Sequence, residues 1–138
     1  MRLKKSLEEA VCILLILAKE EGDSSVKSYR ISEQLGVSDS YLKKILRKLV
    51  LGGVVTSTSS KGGGFRLAKP IENIFMIDVY YAIEGKHSCV QLRNLAEHVF
   101  PSSGESKKVK DNMYILLNES EQLFLNKLAG YPLVKLMQ

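Results

Sequence analysis

The chain is poor in the groups that build most enzymes and secreted scaffolds. It has two cysteines, Cys12 and Cys89, too few for a disulfide framework and too far apart for a C-x-x-C pair. It has no long apolar run. The longest, AVCILLILA at residues 10–18, is too short to span a bilayer. Glu8 and Glu9 precede it and Lys19, Glu20 and Glu21 follow, so it does not fit a cleavable signal and reads as a buried helix of a cytoplasmic protein. Nucleophile-elbow and zinc-binding histidine motifs are missing, and the two histidines, His87 and His98, are eleven residues apart. Asp78 and Glu84 have no partner arrangement for acid–base work. No repeat or low-complexity tract is present. Nothing here reads as an enzyme, and no metal site is expected.

What is present is an ordinary globular composition, 45% hydrophobic and 25% charged, with an uneven charge. The net charge is +5. Residues 1–70 hold 13 Lys/Arg against 7 Asp/Glu, whereas residues 71–138 hold 7 against 8. Any affinity for a polyanion therefore belongs to the first half.

Helical spacing of Leu7, Val11, Leu14, Leu15 and Ala18 predicts a first helix over residues 7–19, with Cys12 as a small core residue. A short second helix carries Ile31 and Leu35 and stops at Gly36, a residue that tolerates positive φ. Val37 and Ser38 make a tight turn. Ser38 is suited to cap the next helix, and Asp39 complements its dipole. In that helix, residues 39–51, Leu42, Ile45, Leu46 and Leu49 form an apolar stripe. Ser40, Lys43, Lys44 and Arg47 repeat the spacing two residues out of phase, a rotation of about 200°. One side docks into the protein; the other offers hydroxyl, ammonium and guanidinium groups to a partner.

Two strand-like segments follow, VVTST at residues 54–58 and FRLA at residues 65–68, with Phe65 and Leu67 inward and Arg66 outward. SSKGGG separates them. A phosphate loop needs Gly-Lys-Ser/Thr leading into a helix, and a dinucleotide fingerprint starting at Gly62 needs glycine where Leu67 stands. Both fail on spacing. Gly62, Gly63 and Gly64 instead read as a hairpin tip, with positive φ and close backbone approach as the reasons for glycine. Lys61 and Arg66 flank it as phosphate or minor-groove contacts. Helix, helix, tight turn, helix and hairpin is the order of a winged helix-turn-helix.

Beyond Pro70 the pattern predicts helices over residues 76–84, 90–99 and 107–128, with a PSSGES loop before the last. Val109, Met113, Leu116, Leu123 and Leu128 form a seam on that long helix. It suits pairing with a second copy or packing on the same chain. The expected fold class is mainly α with a small β-hairpin. Residues 1–85 would form the winged DNA-binding domain, and residues 86–138 a linker and dimerisation helix region.

ISEQLGVSDSYLKKILRKLVLGGVV, GGFRLAKP and IDVYYAIEG resemble the bacterial winged-helix regulators typified by the iron–sulfur cluster regulator, the nitric-oxide-sensing repressor and the cysteine-metabolism repressor. The resemblance spans about Leu7 to Gly85. It implies a homodimer, joined through the C-terminal helix, that represses transcription from a partly palindromic operator in double-stranded DNA. Ser38, Ser40, Tyr41, Lys43 and Lys44 would enter the major groove, while Gly63, Gly64 and Phe65 would form the wing. Ser59 stands where many members carry a wing arginine, and Lys61 is the substitute cation. Cluster-binding members carry three cysteines soon after the position of Gly85; here only Cys89 lies there, so no cluster or other cofactor is expected. Two alternatives remain at this point: a helix-turn-helix adaptor acting through protein contacts, or a regulator sensing redox through Cys89, which Lys86 could activate.

Overall fold

The computed structural model describes residues 1–20, 24–58, 63–101 and 103–138. They form two compact units, Arg2–Lys86 with Leu128–Gln138, and His87–Lys127 with Met1.

The larger unit contains α1 (Lys5–Lys19), α2 (Ser28–Leu35), α3 (Asp39–Leu51), the hairpin β1 (Val55–Ser57) and β2 (Phe65–Leu67), and α4 (Met76–Glu84). Its core gathers Ile13 and Leu14 of α1, Ile31 of α2, Leu42, Leu46 and Leu49 of α3 and Val79 of α4, all fully buried. The buried stripe of α1 is Leu7, Ala10, Ile13, Leu14 and Leu17, rotated from the one expected. Val11 and Leu15 pack beside it only partly buried, and Cys12 is likewise half-buried. AVCILLILA is apolar on every side, so periodicity could not choose which side faces inward.

The turn between α2 and α3 forms for the expected reasons. Gly36 has φ 70° and closes α2 with bonds from its N–H to the Ser32 and Glu33 carbonyls. Two residues on, Ser38 Oγ accepts the Tyr41 N–H at 3.2 Å, satisfying one free donor at the start of α3.

β1 and β2 pair antiparallel in the register Val55↔Leu67, Thr56↔Arg66 and Ser57↔Phe65. On the far edge of β2, Phe65 exchanges two backbone bonds of 2.8 Å with Val26. The hairpin is thus tied to the segment entering α2, a pairing that no alternation in the sequence announced. Residues 128–138, given no separate role from sequence, belong to this unit. Leu133 is fully buried, its N–H donates to the Ile74 carbonyl at 2.8 Å, and the Met76 N–H donates to Tyr131 O at 2.9 Å.

The smaller unit contains α5 (Ala96–Val99) and nearly all of α6 (Gly104–Ala129). The helix expected over residues 90–99 exists only at its end. Its first residues are drawn into a turn in which the Val90 N–H donates to Ser88 Oγ at 3.0 Å. α6 begins at Gly104, inside the expected PSSGES loop, because Ser103 Oγ caps the Glu105 N–H at 3.2 Å. Along it Val109, Met113, Leu116 and Leu123 stay exposed, Leu123 by 73%. Among the described residues no helix is long and apolar enough to cross a membrane.

Candidate nucleic-acid interface

The two faces of α3 separate cleanly. Leu42, Ile45, Leu46 and Leu49 are buried, whereas Ser40, Lys43, Lys44 and Arg47 are exposed. Their charges are not equally available. Lys43 Nζ lies 3.1 Å from Asp39 Oδ2, one turn back. Lys44 and Arg47 make no ion pair with any described residue. Asp39 is held below the usual carboxylate range, first by the Ser28 hydroxyl and then by Lys43.

At the start of α3, Ser38, Ser40 and Tyr41 stand together, with the two serine hydroxyls 3.5 Å apart. The Tyr41 ring is 38% exposed, yet its hydroxyl is engaged, donating to Glu9 Oε2 of α1 at 2.6 Å. That bond pushes the phenol pKa up, with smaller contributions from desolvation and from the Glu9 charge. Glu9 is given no part in the site by the sequence. It lies 32 residues from Tyr41, and only its place beside the apolar stripe of α1 could have hinted at a partner.

In the hairpin, the Thr58 N–H donates to Gly64 O and the Gly64 N–H donates to Thr58 Oγ1, each at 2.9 Å. Gly64 does not have positive φ, the property expected of it. Its lack of a side chain answers a different need: a Cβ would come within 2.5 Å of the Val26 carbonyl oxygen, nearer than atoms can pack. The glycine approaches the protein's own backbone. Gly63 precedes it, and Arg66 points outward from β2 with no ion pair to a described residue. Ser59, Lys61 and Gly62 lie outside the described residues.

Cys89 is exposed in the smaller unit, and the group beside it is acidic. Glu121 of α6 accepts the Cys89 N–H at 2.6 Å and the Ser88 hydroxyl at 2.7 Å. The carboxylate pushes the thiol pKa up, opposite to the activation that Lys86 could supply. Lys86 Nζ instead lies 5.7 Å from the centre of the Tyr81 ring.

Comparison with known proteins agrees with this arrangement. The model of the Rrf2 family, described as iron-dependent transcriptional regulators, matches residues 3–138. The chain is 42% identical over 113 residues to YwgB of Bacillus subtilis, named as a helix-turn-helix-type transcriptional regulator, covering 82% of this chain and 71% of that one. It is 35% identical over 136 residues to the similarly named YffB of Lactococcus lactis, covering 98% and 86%. A crystal structure from Lactobacillus plantarum shares the fold at a TM-score of 0.71 and 18% identity, over 98% and 89% of the two chains.

An iron–sulfur cluster held by three cysteines of one chain does not fit the residues present. Cys89 is the one cysteine after Gly85. Among the described residues no three His, Cys, Asp or Glu side chains gather to hold a metal. The family match nevertheless runs nearly end to end and includes the capped turn, the basic helix face and the hairpin. The chain belongs to the Rrf2 family of DNA-binding transcription regulators.

Proposed function

We propose that the protein is a homodimeric, sequence-specific repressor of bacterial transcription, working in the cytoplasm without an iron–sulfur cluster. The observation that carries this reading is the outward face of α3, where Lys44 and Arg47 stand exposed opposite a fully buried apolar stripe. That face enters the major groove of a partly palindromic operator. Ser38, Ser40, Tyr41 and Lys44 reach base edges; Lys43, Lys44, Arg47, Lys61 and Arg66 hold phosphates. The hairpin tip lies along the adjacent minor groove. Two copies join through α6, whose exposed Val109, Met113, Leu116 and Leu123 gain a dry partner surface.

Replacing Lys43, Lys44 and Arg47 together with Ala tests the reading. Each contact contributes roughly 1 kcal/mol or more, so operator binding should weaken by several kcal/mol in a dimer. Folding stability should change little, because the three side chains are exposed. Undiminished binding would leave the adaptor alternative standing. No comparable observation favours a thiol switch, since the Glu121 carboxylate pushes the Cys89 thiol pKa up.

A further inference from the structure

We infer that Glu9 is a specificity-determining residue: by taking the proton of the Tyr41 hydroxyl, it leaves that oxygen only as a hydrogen-bond acceptor toward the DNA. The chemistry of the pair fixes the direction. An ionised carboxylate can only accept, so across the 2.6 Å contact the phenol must be the donor. A phenol has one proton, and here it is spent inside the protein. The oxygen keeps its capacity to accept, and Tyr41 is an exposed residue in the first turn of α3. The rise in the Tyr41 pKa has the same origin.

In the major groove, an acceptor pairs with the exocyclic amino groups, N6 of adenine or N4 of cytosine. It is repelled by O6 and N7 of guanine and by O4 of thymine. A free tyrosine hydroxyl could rotate to suit any of the four bases. Pinned by Glu9, Tyr41 selects an amino-bearing base at the position it reaches. Glu9 acts from α1 as a positioning residue and touches no base.

The inference rests on the reading that α3 enters the major groove. It is tested by selecting duplexes from a random pool with the full native chain and with three variants, Glu9→Ala, Glu9→Gln and Tyr41→Phe. The native chain should favour A or C at one position in each half-site, by about fivefold over G or T, the worth of one good hydrogen bond. Glu9→Ala frees the hydroxyl and Tyr41→Phe removes it, so both should erase that preference while the other positions remain selected. Glu9→Gln offers the phenol an NH2 donor as well as a carbonyl acceptor, so the direction of the bond is no longer fixed and the preference should fall between those of the native chain and Glu9→Ala. An unchanged profile with Glu9→Ala or with Tyr41→Phe would overturn the inference. A native chain that selects no sequence at all would remove the major-groove reading and this inference with it.

Discussion

At the scale of the residue, two positions show how a side chain, or its absence, is set by one neighbour. Gly64 is the first. A methyl group there meets the Val26 carbonyl at 2.5 Å, and that carbonyl is held by the Phe65 N–H at 2.8 Å, so neither side can yield. Gly64→Ala should cost about 1–3 kcal/mol of stability, the usual penalty of overpacking. Denaturant unfolding measures it, and an unchanged midpoint would show that the hairpin does not need this crossing. Cys89 is the second. Glu121 raises the thiol pKa, and its own is lowered, first by that thiol and then by the Ser88 hydroxyl. The raised thiol contributes stability below its ordinary pKa that is lost as pH climbs through the raised value. The lowered carboxylate contributes above its ordinary pKa and fails as pH falls through the lowered one. Between those limits the turn is held and the thiol is a poor nucleophile. Alkylation of Cys89 at pH 8 should therefore be slower than for a free thiol and should speed up in Glu121→Ala. Equal rates in the two proteins would mean that the carboxylate does not govern the thiol.

At the scale of the element, α3 was legible in the sequence because both its stripes are pure. Every apolar residue of the repeat falls on one side, and Ser38 is a strong cap placed next to Asp39. α1 was legible as a helix but not in its rotation, since AVCILLILA has no polar side to point outward. The expected helix fails over residues 90–95 because the backbone at its start is claimed by Ser88 and Glu121. In the site, the exposed cations were readable from spacing. The Tyr41–Glu9, Phe65–Val26 and Cys89–Glu121 pairings were not, because they join residues 32 to 39 positions apart and depend on how elements meet. For α6, the apolar side chains left in water call for a partner surface. Leu123→Asp should convert a dimer to a monomer in sedimentation and weaken operator binding by roughly 10²–10⁴-fold, the loss of linked half-sites. A native chain that sediments as a monomer would end the dimer proposal.

At the scale of the whole molecule, charge and fold point to the same partner. The excess of Lys/Arg over Asp/Glu lies in residues 1–70, the stretch that also carries the helix-turn-helix and the hairpin. A polyanion would be drawn to that surface, and the capped start of α3 with the hydroxyls of Ser38, Ser40 and Tyr41 would then read sequence. Phosphate contacts displace counterions, so their number can be read directly from salt dependence. The most direct test titrates the full chain with its selected duplex over a range of salt concentrations. Five cations per chain, ten per dimer, predict that log affinity falls against log salt with a slope of about −9. A slope shallower than about −3, or equal affinity for the selected duplex and a random one, would contradict the account.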